Sequence, residues 1–208
     1  MSNVAVITGA AQGIGRRTAQ VLNEQGWSLL LLDLQPVDVS EYKSALALAG
    51  DISDEQFVEY ATQQCVEKFG RVDALVNNAG IAGPTAAIED TSLHEWQQTL
   101  DVNLTGAFLC TRSAVPLIKK AKGGSIINIS SAAGRHGFPL RSPYSATKFG
   151  VIGLTQTWAM ELGPSGIRVN AILPGIVEGA RQDRVLGAKA ETFGISLEAM
   201  RTRALERV

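Results

Sequence analysis

The stretch Tyr144-Ser145-Ala146-Thr147-Lys148 sets a phenol and an ammonium four residues apart, with Ser131 thirteen residues upstream of the tyrosine. If Tyr144 opens a helix, Lys148 lies one turn along on the same face. An ammonium beside a phenol favours the phenolate, so a group whose unperturbed pKa is near ~10 can trade protons closer to neutrality. Ser131, delivered from the end of a separate strand, is a neutral donor to the same oxygen. Such a set can move a proton to or from a carbonyl or alcohol oxygen. Taken alone, the pentapeptide also suits an ordinary surface helix, so the elements around it must decide.

Those elements alternate. Apolar runs rich in Val, Ile and Leu occupy 4–7, 28–32, 46–49, 72–76, 125–129 and 168–173, and helical periodicity occupies 13–25, 54–69, 92–121 and 143–162. Continuous apolar strands between helices predict a doubly wound α/β fold, a parallel sheet covered by helices. The connection over 34–45 leaves room for at most a short helix. Helix 54–69, capped by Asp54, sets Phe57, Ala61, Cys65 and Phe69 on one core-facing stripe. Asn103 beside Gly106 inside 92–121 is poor for a helix and predicts a kink or a buried polar task.

The first strand runs into Thr8-Gly9-Ala10-Ala11-Gln12-Gly13-Ile14-Gly15. Three glycines between a strand and a helix permit a tight turn, close approach of a pyrophosphate and close packing of helix on sheet. The helix N-terminus then offers free N–H groups to phosphates. Asp33, at the end of the second strand, can accept hydrogen bonds from an adenosine ribose, although a turn aspartate also fits. It would oppose a 2′-phosphate by about 1 kcal/mol in water and about 4 kcal/mol at an effective dielectric of 20. No Arg or Lys occurs at 9–15 or 34–35 to offset it. NAD is therefore expected over NADP. Asp51 could meet an adenine edge or simply begin a turn, and Asn77-Asn78-Ala79-Gly80 could brace strand ends, approach a ribose or form a plain turn.

Composition narrows the classes. The 208 residues are 45% hydrophobic and 19% charged with a net charge of −1. These values suit a single domain and give no electrostatic footprint for nucleic acid or an anionic membrane. No apolar run reaches the ~20 residues of a membrane span, and no basic leader precedes the first strand. Cys65 and Cys110 lack metal spacing and read as buried residues of a reducing compartment; with only His94 and His136, no metal site is expected. A cytoplasmic location follows as the expectation. Helix 143–162 is apolar on several sides, so it and 104–118 are expected to form a homo-oligomer interface.

In order and spacing these motifs resemble the short-chain dehydrogenase/reductase family from residue 3 to about 177. The resemblance is carried by Thr8-Gly9-x-x-x-Gly13-Ile14-Gly15, Asp33, Asp51, Asn77-Asn78-Ala79-Gly80, Asn103, Ser130-Ser131, Tyr144-x-x-x-Lys148 and Pro174-Gly175. It implies a Rossmann-type domain and a tetrad of Asn103, Ser131, Tyr144 and Lys148. Tyr144 would act as general acid or base and Ser131 would polarise the substrate oxygen. Lys148 would lower the tyrosine pKa and grip the nicotinamide ribose, and Asn103 would hold a water. The implied cofactor contacts are Gly9, Gln12, Gly13, Ile14, Gly15, Asp33, Asp51, Ile52, Asn78, Ala79, Gly80, Tyr144, Lys148, Pro174, Gly175 and Val177, in a dimer or tetramer.

Two departures from the family pattern stand out. Glu178-Gly179 replaces a threonine that often follows the Pro-Gly motif, and the family's last helix and strand have no counterpart before Val208. The second suggests a truncated form of a longer protein, or else a sheet with one open edge. Residues 132–143 and the lid-like 176–208 region are expected to wall the substrate pocket. Arg135, His136 and Arg141 could favour an anionic or polyhydroxylated substrate, or simply face solvent from a loop. The expected function is NAD-dependent hydride transfer with a secondary alcohol or ketone, such as a sugar, polyol or small hydroxy acid. The alternatives are an NADPH-dependent 3-oxoacyl-thioester reductase and a catalytically inactive NAD-binding regulatory or assembly protein.

Overall fold

The computed structural model describes residues 2–205. Six strands form one parallel sheet: β1 (Val4–Thr8), β2 (Ser28–Asp33), β3 (Ala45–Ala49), β4 (Ala74–Asn77), β5 (Gly124–Ile129) and β6 (Ile167–Ile172). Their spatial order is β3-β2-β1-β4-β5-β6. The order reverses between β1 and β4, so the turns leaving these two strands diverge and open a crevice at their carboxyl ends. Open α/β sheets bind ligands at such a point. The fourth and sixth strands each shift by one or two residues from the apolar runs. Asp73 belongs to the β4 lead-in because its carboxylate accepts from Val4 N–H and is paired with Arg71.

Strand alternation divides the core in two. Val4, Val6, Leu30, Leu32, Leu75, Ile126 and Val169 face α2 (Glu55–Phe69), α4 (Gly106–Lys120) and the end of α5 (Ser142–Leu162). Ala5, Ile7, Leu29, Leu31 and Val76 face α1 (Gly13–Glu24) and Tyr42. The chain over 34–44 is irregular, bent at Ser40 by the Asp38 carboxylate accepting from Ser40 N–H. Cys65 and Cys110 lie in the first core, where burial pushes both thiols up to about 12. On the second face α1 covers β1 and β2, while β6 leaves Arg168, Asn170 and Ile172 exposed.

The segment 92–121 is two helices, not one. α3 (Leu93–Leu100) starts at a capping box, with Ser92 and Glu95 each bonded to the other's backbone N–H. It passes through a π-helical turn, Asp101–Thr105, into α4. The unfavourable Asn103 thus marks both the irregularity and the buried polar task expected of it. A final pair, α6 (Ala180–Phe193) and α7 (Leu197–Leu205), packs through Leu186, Ala190 and Met200, with an Asp183–Arg201 ion pair.

A buried polar ladder crosses the sheet. Asn77 Nδ2 donates to Thr111 Oγ1 at 3.0 Å and to Asn128 Oδ1 at 2.8 Å, and Asn128 Nδ2 donates to Thr155 Oγ1 at 2.9 Å. It ties α4, β4, β5 and α5 together just below the crevice. Asn128→Ala would leave one N–H of the buried Asn77 amide without a partner. A loss of about 2 kcal/mol is expected in urea denaturation, without change in m.

Candidate active site

The glycine-rich turn and the β4 exit lock together through Thr8. Its buried hydroxyl accepts from Asn78 N–H at 3.0 Å and Ala79 N–H at 2.9 Å, and Asn78 Nδ2 returns bonds to the Thr8 and Gly9 carbonyls. A Cβ on Gly15 would lie 2.1 Å from the Gly9 carbonyl oxygen and 2.5 Å from Asn78 Nδ2. Only glycine lets helix α1 approach this closely. Gly13 is different: its φ of +56° demands glycine, yet a Cβ there would meet nothing within 4 Å. The turn is closed toward the sheet and open at Gly13 and the start of α1, a cradle that fits a dinucleotide pyrophosphate.

Asp33 projects beside this turn. Its carboxylate accepts from Ala11 N–H and Gln35 N–H, both at 2.9 Å, which fixes its direction. A neighbouring cleft of about 300 Å³ is lined by Ala11, Arg16, Pro36, Val37, Asp38, Ser40, Glu41 and Tyr42. Arg16, the residue after Gly15, contributes to this cleft. It is already paired with Glu41 at 3.2 Å, and Asp38 adds a second acid. Arg16 is the one cation among the residues lining the cleft, and two acids lie beside it. Asp51 makes a turn, its Oδ1 accepting from the Ser53 N–H and hydroxyl. Ile52 is buried against Gly106.

At the other end of the crevice, α5 begins with Pro143 in its first turn, where a missing N–H costs nothing. Tyr144 and Lys148 share a face, with Lys148 Nζ 5.6 Å from the Tyr144 ring centroid. Lys148 is only 5% exposed, and its Nζ donates to the Ile129 carbonyl at 2.8 Å. Burial, and then the positive charge of Arg181, lower its pKa to about 8. Ser130 points inward and donates to the Lys148 carbonyl at 2.8 Å, so the strand end and the helix hold a fixed register. Ser131 takes the opposite side of the extended chain, accepting from Ala133 N–H at 3.2 Å. The Pro174 carbonyl accepts from Ala132 N–H beside it, whereas Gly175 and Val177 are exposed.

Asn103, 2% exposed, reaches the same place from the π turn. Its Oδ1 accepts from Ile81 N–H at 2.7 Å, and its Nδ2 donates to the Ile81 carbonyl at 3.0 Å and to Thr147 Oγ1 at 3.2 Å. The side chain is thus committed to the loop after β4 and to α5, which leaves only its main chain to hold a water. A Cβ on Gly80 would fall 2.9 Å from Asn103 Oδ1 and 3.8 Å from Lys148 Nζ. Gly80 is small so that the loop, the asparagine and the lysine can meet.

Two cations were less legible. Arg135, His136 and Arg141 are neighbours in sequence, but the first two are exposed, whereas Arg141 is buried with its guanidinium 4.8 Å from the Tyr144 ring centroid. Arg181, at the start of α6, donates to the Gly80 carbonyl. Among the described residues no cluster of metal-ligating side chains occurs, and no helix is long and apolar enough to cross a membrane.

Residues 3–189 match the family model for short chain dehydrogenase. The chain is 44% identical to trans-4-hydroxycyclohexanecarboxylate dehydrogenase of Sinomonas cyclohexanicum, over 84% of this chain and 72% of that protein. It is 36% identical to the 3-oxoacyl-[acyl-carrier-protein] reductase FabG of Thermotoga maritima, over 91% of this chain and 80% of that one. An NAD⁺-bound xylitol dehydrogenase superposes with a TM-score of 0.91 at 28% identity, covering 99% of this chain and 84% of its own. Agreement of the family model, the identities and the fold has one meaning: the chain belongs to the short-chain dehydrogenase/reductase family of oxidoreductases.

Proposed function

We propose that the protein interconverts a secondary alcohol and a ketone with NAD(H), the substrate being a sugar, polyol or small hydroxy acid. The observation that carries this reading is the buried Lys148 set beneath Tyr144 at the carboxyl end of β5, with Asn103 and Gly80 closing around it. When bound, the nicotinamide ring accepts a hydride from the alcohol carbon or returns one to the ketone. The chain handles the proton and the geometry. In oxidation Tyr144 Oη takes the hydroxyl proton, and in reduction it protonates the oxygen that forms. Ser131 Oγ holds that oxygen. Lys148 keeps positive charge near the phenol and offers its remaining donors to the nicotinamide ribose.

The residues toward the adenosine end support NAD over NADP: Asp33 is fixed beside the turn, and Glu41 and Asp38 set further negative charge beside Arg16. Gly9, Gln12, Gly13, Ile14 and Gly15 would hold the pyrophosphate, with Asp51, Ile52, Asn78, Ala79, Gly80, Pro174, Gly175 and Val177 along the cofactor. We further assign the exposed Phe108 and Phe149 of α4 and α5 to a homo-oligomer interface. The similarity to a 3-oxoacyl reductase favours a second reading, reduction of a 3-oxoacyl thioester, but the acids around the adenosine cleft oppose the NADPH that biosynthetic reduction normally uses.

A panel of cyclohexanol, 4-hydroxycyclohexanecarboxylate, 3-hydroxybutyrate and xylitol with NAD, followed by NADH absorbance, tests the first reading. Acetoacetyl thioesters with NADPH test the second. Asp33→Asn should narrow a preference for NAD by roughly tenfold or more, from the Coulomb term at the 2′-phosphate. An unchanged NAD/NADP ratio in kcat/KM would remove Asp33 from cofactor choice.

A further inference from the structure

Around Tyr144 three cations converge and no acid answers them. Arg141 is 5% exposed; its Nη2 donates to the Ala82 carbonyl at 2.6 Å and its buried Nε has no partner. Arg181 donates to the Gly80 carbonyl, two residues earlier on the same loop. Lys148 Nζ lies 3.8 Å from the position a Gly80 Cβ would take. The three charges therefore share one short segment, Gly80–Ala82.

Among the described residues Arg16, Arg17, Arg71, Arg112 and Arg201 pair with acids, and Arg135, Arg168, Arg184 and Arg203 face solvent, whereas Arg141 is buried without an acid. Among the described residues no ion pair involves Arg141, Arg181 or Lys148. A buried guanidinium with an unsatisfied donor and a like charge nearby is costly to fold. That cost is offset when a ligand brings the anion. Lys148 gives one donor to the Ile129 carbonyl and, in the reading above, the others to the nicotinamide ribose, so the planar forks of the two arginines are the groups shaped for a carboxylate.

We infer that Arg141 and Arg181 form an anion clamp beside Tyr144, and that the substrate is a hydroxy or keto acid whose carboxylate they hold while its alcohol or ketone faces the tyrosine. This rests on the oxidoreductase reading of the same site and narrows its substrate class. Arg141 supplies the fixed half of the clamp, set by the Ala82 carbonyl and the Tyr144 ring. Arg181 supplies the half that arrives with α6. Uncharged alcohols fit the same pocket without satisfying either fork.

The test compares 4-hydroxycyclohexanecarboxylate with its methyl ester, and 3-hydroxybutyrate with its methyl ester. Dissociation constants are measured by calorimetry on the protein saturated with NADH, which cannot accept a hydride from an alcohol. The wild-type protein should bind at least one acid roughly 10- to 100-fold more tightly than its ester, as expected for charge-assisted hydrogen bonds to a guanidinium. Arg141→Gln and Arg181→Gln should each move that ratio toward one. Arg181 is exposed at a helix start, so its variant stays informative if the Arg141 variant fails to fold. Equal binding of acid and ester by the wild type overturns the clamp. So do variants that weaken NADH binding but keep the acid-to-ester ratio, since the forks would then serve cofactor phosphates. Because the ratio is read without turnover, absence of NADH formation across the earlier panel counts against the oxidoreductase reading alone.

Discussion

Tyr144→Phe is expected to lower turnover by about 10³-fold or more while NADH binding and Tm stay close to the wild type. The variant keeps the ring, and with it the contacts to Arg141 at 4.8 Å and Lys148 at 5.6 Å. What it loses is the one hydroxyl placed to exchange a proton with the substrate oxygen. Stopped-flow or steady-state NADH absorbance, with fluorescence titration of NADH, measures both halves. Near-normal turnover in the variant would sink the proposed chemistry. Turnover lost together with NADH binding would mean that the hydroxyl is structural.

Lys148→Met should separate activity from stability. Burial and the nearby Arg181 hold the lysine at about 8 instead of the usual 10.5. The folded state thus binds this proton more weakly than the unfolded chain. Between about pH 8 and 10.5 the unfolded chain carries more protons, so stability rises with pH there. Below about pH 8 the full cost of a buried ammonium is present. At ~1.4 kcal/mol per pK unit that cost is of order 3 kcal/mol. It exceeds the roughly 2 kcal/mol of a lost charge-assisted hydrogen bond to the Ile129 carbonyl. Methionine fills a similar volume without charge, so Tm should rise by about 2–5 °C at pH 7. The gain should shrink as the pH rises above 8, and turnover should fall by about 10²-fold or more. A variant less stable than the wild type at pH 7 would show that the lysine is a structural anchor.

The sheet was legible because parallel strands covered on both faces must be largely apolar, and the stretches 4–7, 29–32 and 46–49 contain nothing but apolar residues. The register of Ser131, Tyr144 and Lys148 was legible for a similar reason. Helical spacing and strand alternation are local rules, and the outward Ser131 and inward Ser130 obey them. What escaped the sequence depends on contacts between distant segments. Arg141 is by type one of three neighbouring loop cations, and only the Ala82 carbonyl, 59 residues away, sets it apart. Arg16 fell just past the turn and acquired meaning only from Glu41 across a cleft. The commitment of Asn103 to Ile81 and Thr147 was equally invisible, since neither partner is marked by its type. Thr147, sitting between Tyr144 and Lys148, was the one available hint.

The π turn at Asp101–Thr105 carries a consequence for how the site is geared to the sheet. Thr99, Asn103, Ala107 and Thr111 are all buried and follow one another at intervals of four. In an ideal α-helix each such step overshoots a full turn by about 40°, so three steps would swing the last side chain roughly 120° away from the first. The wider π turn absorbs one surplus residue, close to 100° of that drift, and keeps the row in line. Thr99 then abuts Gly83 above, Asn103 grips Ile81, and Thr111 bonds Asn77 at the foot of the crevice. The surplus residue works as a phase shifter. Removing it would leave two sound helices and an intact sheet, yet turn either the asparagine or the threonine out of mesh.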